Sequence, residues 1–451
     1  MPIARDIIDR VLGSPHGEAA YKICEKLIDA GHECWWVGGA VRNMLVGIIP
    51  GEIDMATSAL PDQIQKLFPK SDDSAAALGA VIVSQSGHTF ELTTFREDDS
   101  ASDGRHPESV KFSKDLKYDA LRRDATINAL YWNPISRELI DPCGGEGDLK
   151  ERLVRLIGEP TQRLKHDVLR ILRMVRLRAA IDGQYEPATY QALRAIAPST
   201  TKLSGTRILQ ELEKLLAGER PQIGLEDLWE LGVMKVIIPE LYICKGIAQP
   251  KDYHHEGDVW NHLLKCCASF SDDHQPDVRL AALFHDCGKA KTFSREERIR
   301  FDHHAEVSSD ITETVLRRLQ MPGNRTSKIS WIIRHHMMMG SFKELSDERK
   351  AHWYFHPWFQ ELLQLMYLDI AGTDPSDFTL YDAIVDDYDA FLNAHPRPPK
   401  PLLTGDEVME ILGLKPGEQV GKILKSLHEA QVRKEIRTKK EAKEYLTKLK
   451  E

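Results

Sequence analysis

Trp35-Trp36-Val37-Gly38-Gly39-Ala40-Val41-Arg42-Asn43-Met44-Leu45-Val46-Gly47-Ile48-Ile49-Pro50-Gly51-Glu52-Ile53-Asp54-Met55-Ala56-Thr57 is the stretch on which the reading of the chain turns. An apolar strand runs into a paired-glycine turn, then a short helix carrying Arg42, then an acid-x-acid pair. Residues two apart on a strand point to one face, so Glu52 and Asp54 present two carboxylates side by side. That arrangement is costly unless a cation sits between them. Mg2+ is the expected occupant, since it takes oxygen ligands and is often shared with substrate phosphates. Gly38 and Gly39 let backbone amides approach a phosphate closely. Glu91, on a later strand, is placed to complete the carboxylate set.

Around this stretch lie 451 residues, a length that suggests roughly three domains. A hydrophobic fraction of 42% and a charged fraction of 29% describe a globular protein with ample core. The net charge of −9 excludes a globally basic nucleic-acid binder, so any RNA contact falls to local patches. Residues 150–220 form one such patch, with 14 Lys and Arg against 8 Asp and Glu, and the tail after Lys422 forms another. Seven cysteines show no CxxC and no regular spacing, which predicts a reducing, cytoplasmic setting without a disulfide frame or zinc site. The first ten residues read as a short amphipathic helix rather than a signal peptide, and no apolar run is long enough to span a bilayer.

In chain order, residues 18–31 read as a helix with Ala19, Ile23, Leu27 and Ile28 on one face. A Pro-led helix is expected from Pro61. Strands are expected at Val81–Ser84 and Phe90–Phe95, joined through Gly87. Arg96–Pro107 is polar and acidic and reads as a mobile loop. From Leu149 the pattern is helical to the C-terminus. Boundaries fall near Gly144–Gly147, Pro239–Gln249 and His395–Pro401, and no internal repeat is evident.

Two further motifs follow the first. In Arg122-Arg123-Asp124-Ala125-Thr126-Ile127-Asn128 the paired arginines suit triphosphate oxygens, Asp124 suits a ribose hydroxyl, and Thr126 and Asn128 suit a turn. In His166–Arg176, Val168, Ile171, Leu172 and Val175 form an i, i+3, i+4, i+7 stripe, predicting one amphipathic helix. Asp167 and Arg170 are neighbours on its polar side, where one accepts and one donates, enough to read the edge of a base without a template.

The first 240 residues resemble the class II tRNA nucleotidyltransferase and bacterial poly(A) polymerase family, through Gly38-Gly39-x-x-Arg42, Glu52-x-Asp54, Arg122-Arg123-Asp124-x-Thr126-x-Asn128 and Asp167-x-x-Arg170. The resemblance implies an α+β chain: a nucleotidyltransferase head with a small mixed sheet at 1–148, then a helical neck and RNA-binding region with the base-reading helix at 149–245. It further implies that Glu52 and Asp54 are catalytic and hold two Mg2+. Gly38, Gly39, Arg42, Arg122, Arg123, Asp124 and Asn128 would bind the triphosphate and ribose. Asp167 and Arg170 would pair with CTP or ATP, with Arg173 and Arg176 adding phosphate or structural contacts. Departures from the family pattern are Glu52 and Asn43, where Asp is usual, Ala125, where Phe or Leu is usual, and His166, where Glu is common.

In the second half His262, His285-Asp286, His304, His336 and Asp369 occur in the order H, HD, H, H, D and resemble the HD metal-dependent phosphohydrolase superfamily. That resemblance implies a helical HD domain at 246–394. His262, His285, Asp286 and Asp369 would hold one divalent transition metal, and His304 and His336, with Asp286 bridging, a second. Lys289 would meet a substrate phosphate. Residues 395–451 read as a C-terminal helical RNA-contacting tail opening on a capped helix after Thr404.

The expected activity is template-independent addition of CMP and AMP to the 3′ end of tRNA from CTP and ATP, without an obligate protein partner. Alternatives are a CC-only, A-only or poly(A)-adding enzyme, or an HD-site phosphohydrolase with an RNA-binding head.

Overall fold

The computed structural model describes residues 2–74, 76–97, 111–250, 255–295, 298–395, 401–432 and 435–448. The chain forms two compact units, Met1–Tyr242 and Ile243–Glu451.

The first unit is built on a six-stranded mixed sheet. In spatial order its strands are Ala80–Gln85, His88–Thr94, Asp54–Thr57, Cys34–Val37, Tyr131–Trp132 and Leu139–Ile140. Cys34–Val37 is buried along its whole length, and Trp36 meets Trp132 edge to face at 5.2 Å. Ala80–Gln85 and His88–Thr94 form the expected hairpin, with Gln85 opposite His88 across the turn Ser86-Gly87. Asp54–Thr57 pairs antiparallel with Cys34–Val37, setting Val37 opposite Asp54, and parallel with His88–Thr94, setting Met55 beside Leu92. Tyr131 also lies opposite Val37. This register decides where function sits. The glycine turn after Val37, the start of the second strand and the segment leading into Tyr131 all arrive at one end of the sheet.

Helices cover this sheet and extend beyond it. Ser14 caps Pro15–Asp29 by accepting from the Gly17 amide at 3.0 Å, and Pro15 occupies the first turn, where its missing N–H costs nothing. Two expectations need correction. The region after Leu149 is not wholly helical, because Leu153–Val154 pairs parallel with Gln184–Tyr185, and Phe293–Arg295 pairs antiparallel with Ile299–Phe301. His166–Arg176 is not one helix either. One helix ends at His166, Asp167 takes extended geometry (φ −143°, ψ 100°), and the next begins at Arg170. The apolar stripe survives the break, with Val168, Ile171, Leu172 and Val175 all buried. Within Arg96–Pro107, Arg96-Glu97 is a short strand paired with Lys111-Phe112, and the remainder lies outside the described residues.

Among the described residues the second unit is helical apart from the short strands Phe293–Arg295 and Ile299–Phe301. Val259–Ala268, Pro276–Phe284, His304–Arg318, Gly323–His335 and Phe359–Gly372 carry the HD motif positions on or beside them. At the C-terminal end, Thr404 and Glu407 form the expected capping box over Gly405–Leu412. Leu403, Val408, Val420, Leu427, Ala430, Ile436, Ala442 and Leu446 make a separate small core there.

Candidate active site and metal centre

At the sheet end, Gly38 sits at φ 71°, ψ −130°, a backbone region that side chains disfavour, and it starts the helix Gly39–Leu45. That helix carries Arg42 into the interior, where the side chain is only 8% exposed. Its hydrogen bonds end on neutral amide oxygens: Nη1 donates to Asn128 Oδ1 at 2.7 Å and Nη2 to Asn43 Oδ1 at 3.2 Å. Burial, then repulsion from Arg176, lowers the Arg42 pKa to about 10, against a partial opposing pull from Asp124. A buried guanidinium whose hydrogen bonds go to amides and whose charge is only partly offset by Asp124 favours an incoming anion.

Asn128 passes the contact on, donating through Nδ2 to Asp124 Oδ1 at 3.0 Å. The same oxygen accepts from the Ala125 amide at 2.8 Å, and Oδ2 pairs with Arg173 Nη2 at 2.6 Å. Asp124 is 5% exposed with both oxygens engaged inside the protein, which places it behind the site as an anchor for Asn128 and Arg173. Arg122 and Arg123 share the fully buried Asp119, at 2.6 and 2.9 Å, and Tyr131 donates to that carboxylate at 2.7 Å. Burial works against the Asp119 charge, but the two guanidinium groups outweigh it and hold the carboxyl below its ordinary range. Arg123 Nη1 stays beside the glycine turn, 4.0 Å from where a Gly38 Cβ would stand. Asp119 was not found in the sequence, although its spacing of three and four before the arginines was a visible signal.

Glu52 precedes the second strand, which begins at Asp54, and the exposure pattern puts both acids on the open side with Ile53 buried between them. Asp54 keeps solvent contact, yet loss of surrounding water, then repulsion from Glu91 and Glu52, raises its pKa, with Arg123 and Lys214 partly opposing the rise. Lost water and two neighbouring acids disfavour the Asp54 charge, a cost that a hard divalent cation relieves.

Arg170 donates to the carbonyls of Arg163 at 2.9 Å and Arg122 at 3.5 Å. Asp167 Oδ1 accepts from the Leu169 amide at 3.1 Å. The break in the helix therefore presents the two residues from a turn rather than a continuous helical face. Arg176 donates to Glu211 at 3.0 Å.

In the second unit the six predicted HD residues converge. His262 Nε2 lies 3.3 Å from His285 Nε2 and 3.1 Å from Asp369 Oδ1, and His285 Nε2 lies 3.4 Å from that same oxygen. Asp286 Oδ1 is 3.3 Å from His304 Nε2 and 3.9 Å from His336 Nε2. Nδ1 of His285, His304 and His336 donates to the carbonyls of Ala282, Phe301 and Ile333 at 2.8, 2.9 and 2.6 Å. Those bonds fix the tautomer that leaves each Nε2 lone pair facing inward, as a metal-ligating histidine requires. Burial, then the neighbouring His285, lowers the His336 pKa to about 4, which keeps that ring neutral. His304 Nε2 is buried without a hydrogen bond, so the donor set fits a metal. Cys266, outside the predicted set, joins His262 and His285 in one donor group. Lys289 Nζ lies 2.6 Å from Asp286 Oδ2. Among the described residues, every His, Cys, Asp or Glu group close enough to clasp a metal lies in this unit.

A nucleotidyltransferase head followed by an HD domain is the class these two sites define. The Poly A polymerase head domain family matches residues 34–155, the probable RNA and SrmB-binding site of polymerase A matches 184–244, and the HD domain family matches 253–394. The A-adding tRNA nucleotidyltransferase of Deinococcus radiodurans is 32% identical over 432 residues, 91% of this chain and 94% of that protein. The CCA-adding enzyme of Geobacillus thermodenitrificans is 40% identical over 219 residues, 49% of this chain and 54% of that protein. The crystal structure of the Bacillus stearothermophilus CCA-adding enzyme in complex with CTP superposes with a TM-score of 0.71 at 26% identity, covering 96% of this chain and 98% of that one. The chain belongs to the tRNA nucleotidyltransferase family and is an enzyme. No helix among the described residues is long and apolar enough to cross a membrane.

Proposed function

We propose that the enzyme adds CMP and AMP to the 3′ end of tRNA, drawing on CTP and ATP and using no nucleic-acid template. The observation that carries this reading is the buried, amide-held Arg42 behind the Gly38-Gly39 turn, at the same sheet end as Glu52 and Asp54. Arg42 and Arg123 hold the triphosphate, with Asn128, Asp124 and Arg173 keeping Arg42 in place. Asp119 holds Arg122 and Arg123 at the edge of the site. Glu52 and Asp54 hold Mg2+, with Glu91 alongside. An ion held by these acids would supply charge to lower the pKa of the attacking 3′-hydroxyl and to offset the negative charge of the departing pyrophosphate. Asp167 and Arg170 select the base, and Arg176 supports the triphosphate from the neck. Rate acceleration comes from positioning and charge rather than covalent chemistry.

The domain division follows: head 1–148, neck 149–245, HD domain 246–394 and RNA-contacting tail 395–451. The experiment is incorporation of labelled CTP or ATP into tRNA ending before its last three nucleotides and into tRNA ending in CC. Incorporation of both nucleotides into the shorter tRNA supports full CCA addition. Incorporation of ATP alone, and only on the CC-ended tRNA, makes the enzyme A-adding. Incorporation of neither nucleotide into either tRNA overturns the transferase reading.

The convergent imidazoles of the second unit favour a second activity as well: the HD cluster binds a divalent transition metal and hydrolyses a phosphoester. Metal-stimulated release of phosphate, or opening of a cyclic phosphodiester, lost in His285→Ala, tests it.

A further inference from the structure

Cys266 lies one helical turn after His262 on Val259–Ala268, so the two side chains share a face. Both are fully buried, and Cys266 Sγ stands 3.5 Å from His262 Nε2. The facing helix Phe359–Gly372 carries Asp369 and, one turn on, Gly372. A Cβ at Gly372 would stand 2.3 Å from Cys266 Sγ and 3.0 Å from the Cys266 amide, so only glycine leaves room for the thiol here. The glycine lets the two helices close around the sulfur, which groups with His262 and His285.

The donor spacings fit one small coordination sphere. Tetrahedral coordination at zinc bond lengths separates two nitrogens by ~3.3 Å and a nitrogen from a sulfur by ~3.6 Å. Here the two imidazole nitrogens are 3.3 Å apart, and the sulfur is 3.5 Å from one of them. Asp369 Oδ1 is 3.1 and 3.4 Å from the same two nitrogens. Asp286, the remaining HD carboxylate, is drawn the other way. Its Oδ2 is 3.6 Å from both nitrogens and 2.6 Å from Lys289 Nζ, while Oδ1 faces His304. The cluster holds three overlapping donor groups: a sulfur-bearing one of His262, Cys266 and His285, one of His285, His336 and Asp369, and one of Asp286, His304 and His336.

We propose that Cys266 is a thiolate ligand of the HD centre, forming with His262 and His285 a three-donor set that selects a thiophilic divalent ion of the zinc type over Mg2+. This deepens the metal-centre reading of the HD cluster and rests on it. A sulfur donor is the strongest discriminator against hard cations, because Mg2+ takes oxygen and zinc-type ions take thiolate. On metal binding the thiol proton passes to solvent, and the sulfur lone pair forms the new bond.

Cobalt substitution of the full-length protein tests the assignment, in excess Mg2+ so that the head carboxylates are filled. Co2+ bound by the proposed set gives visible d–d bands together with a near-ultraviolet thiolate-to-cobalt charge-transfer band. Cys266→Ser should abolish the near-ultraviolet band and weaken Zn2+ binding by at least about tenfold, measured by chelator competition. Cys267→Ser, on the neighbouring buried position, should do neither. Thermal melting of both metal-free variants identifies a loss due to misfolding, and Cys266→Ala serves as a second sulfur-free variant. Visible bands without a near-ultraviolet band in the unmodified protein overturn the thiolate ligand while leaving the metal centre standing. No cobalt binding overturns both.

Discussion

At Asp54 three negative charges share one end of a sheet, and the pKa of the Asp54 carboxyl is raised by lost water and by Glu91 and Glu52. A raised carboxylate pKa means that ionisation costs stability, a cost absent at low pH and growing as pH rises through that pKa. Glu91→Gln removes the largest like charge, so the metal-free protein should melt at a higher temperature near pH 7, with the difference fading toward acid. The same change should reduce nucleotide incorporation. Asp54→Ala should abolish CMP and AMP incorporation outright, and unchanged incorporation would remove Asp54 from the site. Glu52→Asp should retain or raise activity, since it shortens the side chain by one methylene while keeping charge and oxygen ligation. Asp119 carries the opposite sign. Its carboxyl is held below its ordinary range, so its contribution is present at neutral pH and is lost as pH falls below about 4. Asp119→Asn leaves two guanidinium groups facing a neutral amide and should cost about 3 kcal/mol. Denaturant titration should find the gap at pH 7 and a smaller one below pH 4.

At the scale of the element, the break between Pro160–His166 and Arg170–Ile181 separates two roles that one helix would have merged. Arg170 braces the carbonyls of Arg163 and Arg122, so Arg170→Ala should lower kcat/KM for CTP and ATP alike. Asp167 is half-exposed in the turn, so Asp167→Ala should instead change the ratio of CTP to ATP incorporation. An equal effect of both changes on both nucleotides would contradict this division. The break was hidden in the sequence because Val168, Ile171, Leu172 and Val175 keep their helical spacing across it and all stay buried. The strands were easier to read. Ala80–Gln85 and His88–Thr94 alternate buried and open positions around a two-residue turn, and that period belongs to strands alone. Two-residue pairings such as Leu153–Val154 with Gln184–Tyr185 carry too few residues to show a period. In the sites, residues belonging to an ordered motif, contiguous as in the head or dispersed as in the HD series, were legible, and partners supplied only by helical spacing were not. Asp119 resembles an ordinary surface acid until its arginines fold back on it, and Cys266 belongs to no CxxC, its partner His262 lying one helical turn away.

Over the whole molecule, the glycine turn and the HD cluster fall in different compact units, Met1–Tyr242 and Ile243–Glu451, each with its own buried side chains. Ligands of the two sites should therefore stabilise different parts of the chain. A ligand that binds only the folded form stabilises it by about 2.7 kcal/mol at one hundred times its Kd. CTP with Mg2+ should protect amides of the first unit from hydrogen exchange, most of all around Gly38–Leu45 and Arg123–Asn128, and leave the second unit's rates unchanged. Removing transition metal by chelation, with Mg2+ kept in excess, should do the converse. Exchange should speed up in Val259–Ala268, Pro276–Asp286 and Phe359–Gly372, because uncompensated carboxylates and inward-facing imidazole lone pairs then remain buried together. Asp54→Ala should erase the metal-dependent part of the first response and spare the second, and His285→Ala the reverse. A chelator effect spread evenly over both units would show that the HD cluster does not hold the metal that matters to folding.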